Sequence, residues 1–362
     1  MRWLFLLLWF SVAHAAVADL AAVADLNILR ENSAGFARAV EPRTFEFPRD
    51  HGPHPEFHHE WWYVTGNLDS DTGERSGFEL TIFRVGLLPP NVPTSGESAW
   101  RAREVYAAHF AITDGARGRF RYTDQYSRGA LGLAGAAAEP FRVWLNDWEL
   151  GSKLIHARGQ GYELTLDVGS LGEPVLNGDH GLSRKSAEAG AATYYYSIPR
   201  IAVHGQMIRD GVSANVHGLA WLDREWGSGS LGAREQGWDW FALQLQDGSA
   251  LMFYSLRNAD GSRNSNSSGT WVDANGRGRA LAANEVSIDV SDHWTSPRGG
   301  RYPSRWRVRV PSAGVDVEVR PVLADQELGT RPRYWEGAVD LRATQSGHGA
   351  GRGYVELVGY GE

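Results

Sequence analysis

The chain has no cysteine among its 362 residues. That absence removes disulfide staples, thiol catalysis, thiolate metal sites and lipid attachment through an N-terminal cysteine. A chain this long can bury a sufficient core without staples. It also lacks a basic footprint: a net charge of -7 and a pI near 6.0 argue against nucleic acid as a partner. No G-x-S-x-G nucleophile elbow is present; Gly227-Ser228-Gly229-Ser230-Leu231 comes nearest and fails at its last position. Nor is there a long helical period after the leader.

The apolar stretch Trp3 to Val12 is about half the roughly 20 residues a spanning helix needs. With Arg2 before it and Ala13-His14-Ala15 after it, it has the layout of a signal peptide, residues 1–15. The expectation is a periplasmic or secreted protein with no integral membrane segment after cleavage. Residues 16–40 follow as an alanine-rich leader arm, opened by the tandem Ala15 to Leu20 and Ala21 to Leu26.

From Pro42 the texture becomes short alternating strands. Phe78, Leu80 and Ile82 alternate with Glu79 and Thr81; Tyr162, Leu164, Leu166 and Val168 alternate with Glu163, Thr165 and Asp167. Trp306, Val308 and Val310 alternate with arginines, and Val315, Val317 and Val319 with acids. Period two with a polar outer face predicts half-buried antiparallel strands. Asp210-Gly211, Asp247-Gly248, Asp260-Gly261 and Asn275-Gly276 supply tight hairpin turns. The reading is an all-β protein.

Self-comparison divides it. Trp61 to Arg84 (W-W-Y-V-T-G-N-L, a turn, F-E-L-T-I-F-R) is echoed by Trp238 to Arg257 (W-D-W-F-A-L-Q-L, a turn, A-L-M-F-Y-S-L-R), and later features recur in the same order. Two copies of one antiparallel unit are expected, residues 41–230 and 231–362. Many meandering strands leave exposed edges unless each sheet closes on itself, so two barrels are favoured, each able to hold one small ligand.

Gly218 to Trp240, at the junction of the copies, is the densest stretch of functional groups. It holds Trp221, Trp226, Trp238 and Trp240 with Asp223, Glu225, Asp239 and Arg224. One reading is a tryptophan-rich seam with a buried arginine–carboxylate clamp; the other is a ligand site at a domain junction. Arg224 between two acids serves as an ion-pair clamp or as an anchor for a ligand carboxylate or phosphate. Upstream, His51, His54, His58, His59 and Glu60 invite a metal reading, but Pro53 and Pro55 forbid the helix that would align the histidines, so a polar lip on the first barrel is expected instead. Of the neighbours Trp61 and Trp62, one must face a lumen and the other the outside or the partner barrel. No metal or cofactor is called for.

These segments carry a resemblance. H-H-E-W-W-Y-V-T-G-N-L (His58 to Leu68), Y-Y-S-I-P-R (Tyr195 to Arg200), W-L-D-R-E-W-G (Trp221 to Gly227), G-W-D-W-F (Gly237 to Phe241), W-T-S-P (Trp294 to Pro297), A-D-Q-E-L (Ala324 to Leu328), Y-W-E-G-A-V (Tyr334 to Val339) and G-Y-V-E-L-V-G-Y (Gly353 to Tyr360) resemble the AttH and carotenoid 1,2-hydratase (CrtC) family. The resemblance implies two tandem lipocalin-like barrels. Its hydratases add water to an isoprenoid double bond without cofactor, its fungal relatives steer polyene cyclisations, and its exported AttH-like members, labelled predicted secreted hydrolases, often accompany ABC-transporter components. With its signal-like leader, this chain resembles the last group most.

The expected function is therefore binding of an apolar or amphipathic small molecule, such as a lipid, isoprenoid or polyketide, near the barrel junction, with ABC-transporter components as partners. The alternatives are a cofactor-free hydro-lyase and a secreted hydrolase. Alkene hydration needs a carboxylic acid whose pKa is raised in an apolar pocket and tryptophan faces to stabilise the cation. Asp223, Glu225 and Asp239 are the candidate acids, with Trp226 as a fourth catalytic candidate. Ligand-binding candidates are Trp221, Arg224, Trp238, Trp240, Tyr254, Trp61, Trp62, His59 and Glu60. The family's hydratases carry Asp-His-x-Trp where this chain has Asp223-Arg224-Glu225-Trp226, so Trp226 carries over and the histidine has no counterpart. The further Tyr and Asp of the hydratases have Tyr254 and Asp239 as candidate matches.

Overall fold

The computed structural model describes residues 33–93, 98, 101–228, 235–344 and 349–361. The signal peptide, most of the leader arm and the boundary between residues 230 and 231 lie outside the described residues. Strands dominate: β1 (His59–Ser70), β2 (Arg75–Gly86), β3 (Glu104–Asp114), β4 (Arg119–Arg128), β5 (Ala134–Ala138), β6 (Phe141–Leu145), β7 (Trp148–Gly151), β8 (Leu154–Gly159), β9 (Tyr162–Val168), β10 (Val175–Leu176), β11 (Leu182–Arg184), β12 (Ala192–Arg209) and β13 (Val212–Gly227) form one antiparallel sheet. The second comprises β14 (Glu235–Leu245), β15 (Ala250–Asn258), β16 (Ser268–Val272), β17 (Gly278–Ala282), β18 (Ser287–Thr295), β19 (Arg301–Val310), β20 (Val315–Pro321), β21 (Glu327–Leu328), β22 (Tyr334–Ala343) and β23 (Gly351–Val358).

The first sheet runs β4-β3-β2-β1-β13-β12-β9-β8-β7-β6-β5, with β10 and β11 also on β12; the second runs β17-β16-β15-β14-β23-β22-β20-β19-β18, with β21 on β22. Each curls into a barrel or half-barrel, giving the all-β, tandem lipocalin-like architecture expected from the sequence. Edge strands β4 and β5 share no ladder among the described residues; the curl is drawn together by side chains, as where Asn146 Nδ2 donates to Gln125 Oε1 at 2.7 Å. The alternating segments are where period two placed them, β9 spanning Tyr162–Val168. At the β12–β13 hairpin both Asp210 (φ 47°) and Gly211 (φ 84°) are left-handed, the primed turn that an Asx-Gly pair is suited to make.

Alternation sorts the apolar residues into three layers. Trp62, Val64, Leu222, Trp226, Tyr194 and Tyr196 fill the first sheet's interior. Phe241, Leu243, Trp306, Trp335, Val355 and Leu357 fill the second. Between the sheets, the outward faces of β1, β12 and β13 meet those of β14, β15, β22 and β23 through Tyr63, Tyr195, Trp221, Trp240, Tyr254 and Tyr354. Polar contacts cross this seam too: Gln244 Nε2 donates to Pro199 O (2.7 Å) and Ala220 O (3.1 Å), and Asn67 Nδ2 to Gly353 O (3.1 Å). Among the described residues no helix is long and apolar enough to cross a membrane.

Candidate functional site

β1 pairs with β13 so that Glu60 lies opposite Trp226, Trp61 opposite Glu225, Trp62 opposite Arg224 and Tyr63 opposite Asp223. Successive side chains on a strand point to opposite faces. The run Asp223-Arg224-Glu225-Trp226 is thereby split between two compartments. Arg224 and Trp226 enter the first sheet's interior, while Asp223 and Glu225 face the second sheet.

Arg224 consequently does not clamp Asp223 and Glu225; its buried partner is Glu60. Its fork also donates to Gly52 O (2.5 Å) and Trp61 O (3.2 Å), and the guanidinium lies 3.8 Å from the Trp62 ring centroid. Arg84 reaches Glu60 from the other side at 3.0 Å. Burial opposes the Glu60 charge, but the two guanidiniums hold its carboxyl well below the usual range. The histidine cluster closes over this network. His54 stacks flat on Trp226, 3.9 Å between centroids, and the His51 Nδ1 meets Tyr196 OH at 2.6 Å. His51, His54, His58 and His59 are all buried and form no exposed polar lip; His51 and His54 cap the first sheet's interior, while His59 stacks on Trp61 on the face towards the second sheet. Phe36, near the end of the arm, packs on His58 with centroids 5.1 Å apart.

The other compartment is a cavity of about 150 Å³ between the sheets. Of the residues singled out in the sequence, His59, Glu60, Trp61, Asp223, Glu225, Trp238, Trp240 and Tyr254 line it. Trp221 stands behind Asp223 and donates its Nε1 to Oδ1 at 2.7 Å. Ser197 donates to the same oxygen at 2.5 Å, and Tyr195 OH to Oδ2. Tyr195 in turn accepts from Trp240 Nε1 at 3.0 Å. Burial outweighs these three donors and lifts the Asp223 carboxyl to about 7. Glu225 accepts from Thr193 and from Lys185 Nζ, 2.9 Å away. Burial works against the Lys185 charge, yet the Glu225 carboxylate holds the ammonium above its usual range.

Four candidates are placed elsewhere. Trp62, Arg224 and Trp226 belong to the first sheet's interior, for the parity reason above. Asp239 points away from Trp238 and Trp240 and is held by Arg257 Nη1 (2.7 Å) and Tyr360 OH (2.9 Å), so it does not join the cavity. Ser228 is buried with its Oγ accepting the backbone N–H of His58 at 2.9 Å, and no base addresses it among the described residues.

The cavity residues that were not singled out include Lys185, Glu356, His109 and Arg331. A signal existed for one. Glu356 interrupts the apolar strand segment Tyr354-Val355-Glu356-Leu357-Val358, where a lone acid is unlikely without a purpose. Its Oε2 accepts from Trp238 Nε1 at 3.0 Å, and burial raises the carboxyl to about 7. Lys185 comes from the irregular connection between β11 and β12, and His109 from β3, where it meets Tyr334 OH at 2.8 Å; neither sits in a pattern that sequence spacing exposes. Burial lowers the His59 and His109 pKa values to about 3 and 4, so both are neutral at physiological pH.

Behind Glu356 the seam buries two more acids, Glu336 and Glu79. Glu336 accepts from Tyr63 OH at 2.7 Å, but one oxygen of each has no hydrogen-bond partner among the described residues. Burial, then the neighbouring carboxyls, push Glu336 well above the ordinary range; burial, with Glu356 adding, pushes Glu79 to about 8. The folded protein thus keeps protons that the unfolded chain gives up once the pH passes about 4.3. Stability therefore falls as pH rises from there through the folded values. Glu336→Gln, neutral at every pH, is expected to leave stability near pH 5 within about 1 kcal/mol of the parent and to raise it near pH 9. Parallel urea titrations at both pH values check this; identical pH slopes for the two proteins would refute it.

Two curled antiparallel sheets packed around a shared cavity define a tandem lipocalin-type protein. The AttH-like family profile matches residues 38–360, and the chain belongs to that family. A crystal structure described as an AttH protein from Nitrosomonas europaea is 35% identical, with a TM-score of 0.78 over 90% of this chain and 100% of its own. Kievitone hydratase from Nectria haematococca shares the fold at 15% identity, with a TM-score of 0.64 over 91% of this chain and 97% of its own. No curated protein sequence matches the chain.

Proposed function

We propose that the cavity between the sheets binds an apolar or amphipathic small molecule, such as a lipid, isoprenoid or polyketide. The observation that carries this is the cavity itself: about 150 Å³, walled by Trp61, Trp238 and Trp240, with buried carboxyls among them. A cavity of that size accepts a benzene-sized group, so a ring or chain end is seated and the rest of a longer ligand extends from the mouth. Export to the periplasm or beyond, and service to ABC-transporter components, belong to the same proposal. They are supported by the pattern of residues 1–15 and by the family resemblance.

Native mass spectrometry of protein purified from its own cell envelope, followed by denaturing extraction, tests the reading. A co-purified amphipathic molecule of unchanged mass is the expected result. Protein that is empty, and that takes up no apolar probe, would overturn it.

A second reading, acid-catalysed addition or removal of water at a carbon–carbon double bond, is favoured by the Asp223 carboxyl at about 7 in a tryptophan-walled space. Asp223 gives its proton to one alkene carbon, the faces of Trp61 and Trp240 stabilise the cation on the other, and water adds there and returns a proton to the carboxylate. Ligands differing by one water in the extract would mark this activity. Asp223→Asn is then expected to lower turnover by about 10²–10⁴-fold with ligand affinity nearly intact. Unchanged turnover would remove Asp223 from the reaction. Among the described residues no base addresses Ser228, whose Oγ accepts the His58 backbone N–H, so nothing there supports a serine hydrolase.

A further inference from the structure

The cavity already shows how it holds one ammonium. Lys185, one of only two lysines in the chain, buries its Nζ 2.9 Å from Glu225, 4.0 Å from the Tyr254 ring centroid and 5.2 Å from that of Tyr195. A carboxylate behind the cation and ring faces beside it are the elements of an aromatic cage, because the negative face of each ring attracts the charge that the carboxylate neutralises.

On the second sheet's side of the cavity another carboxyl lies among tryptophan and tyrosine rings, and among the described residues no cation pairs with it, although Arg331, from the connection between β21 and β22, lines the same cavity. Glu356 on β23 lies opposite Trp240 on β14 and accepts from Trp238 Nε1 at 3.0 Å. The Tyr63 ring stands edge-on to Trp240 with centroids 5.1 Å apart, and Trp61 lines the same space. Among the described residues Glu356 makes no ion pair. Behind it, Glu336 keeps a buried oxygen without a partner among the described residues, a second acceptor at this end of the seam. An incoming cation would let Glu356 ionise, replacing a proton that burial now retains. An anionic ligand would meet acids here, and a neutral one would leave the second cage unused.

We infer that the ligand is an amphipathic amine, whose alkylammonium group seats against Glu356 between Trp238 and Trp240 while its apolar portion occupies the rest of the cavity. The inference rests on the binding reading above and names its ligand class.

Benzylammonium, benzyl alcohol and benzoate share one ring that fits the cavity and differ in charge. Titrated near neutral pH against tryptophan fluorescence and by calorimetry, benzylammonium is expected to bind about tenfold or more tightly than benzyl alcohol, and benzoate not to saturate. Glu356→Gln is expected to bring benzylammonium down to the level of the alcohol while leaving the alcohol within about twofold. Equal affinities of wild-type protein for benzylammonium and the alcohol overturn the amine inference and leave the binding reading standing; so does an unchanged preference in Glu356→Gln. Saturable binding of none of the three overturns both. The charge series needs no variant, so it decides even if Glu356→Gln fails to fold.

Discussion

Arg224→Ala is expected to destabilise the protein by about 3–5 kcal/mol, the range for removing one partner of a buried ion pair. Arg224 and Glu60 are both fully buried, so the carboxylate left behind has no water to replace the guanidinium. Arg84 still reaches Glu60 at 3.0 Å, which places the loss towards the lower end. The carbonyls of Gly52 and Trp61 also lose their donor, and Trp62 loses the plane stacked on it. Arg224→Lys keeps the charge but not the planar fork, so it is expected to recover only part of the loss. Histidine, the residue that the family's hydratases carry at this position by resemblance, is too short to reach the same acceptors and is expected to behave like the alanine variant. Urea unfolding followed by tryptophan fluorescence measures all three. A loss below about 1 kcal/mol for Arg224→Ala would mean that the network is not structural.

Lys185→Met should be comparably costly, and its cost should depend on pH. Glu225 then loses its ammonium inside the seam, close to Asp223, and two buried acids remain with no cation between them. Near pH 8 the expected loss is about 3–5 kcal/mol. Near pH 5 protons relieve the repulsion, because a carboxyl that burial makes reluctant to ionise binds a proton more tightly when folded than when unfolded; the deficit should shrink by at least a third, about 1 kcal/mol or more. The parent keeps Lys185 charged throughout this interval, its pKa being raised, so the pH dependence belongs to the variant's acids. A deficit equal at both pH values would assign the loss to packing against Tyr254 alone.

Where a hydratase-like histidine would sit is itself informative. The positions of Arg224 and Trp226 share the first sheet's interior with His54 and do not line the cavity that holds Asp223, although Glu60, the partner of Arg224, borders that cavity. The departure at Arg224 from the hydratase pattern therefore touches the inter-sheet cavity only through Glu60. It converts a position in the barrel interior into a brace for residues 51–60.

By itself the sequence determined the elements and the neighbourhood. Period-two alternation and Asx-Gly turns specify half-buried strands and hairpins through local sterics and burial alone, and β9, β19 and β20 follow from them. The density of tryptophan and carboxylate from Gly218 to Trp240 located the seam, because large rings and acids are seldom spent together on a solvated strand. Only the tertiary structure decided which of those residues meet. Each strand's parity relative to the core assigns neighbours to opposite faces, so Arg224 and Trp226 part from Asp223 and Glu225, and Asp239 parts from Trp238 and Trp240. The partners that complete the cavity, Lys185 from the β11–β12 connection, His109 from β3 and Glu356 from β23, are far away in the chain. They converge through the packing of one curled sheet on another, a contact with no local period to announce it.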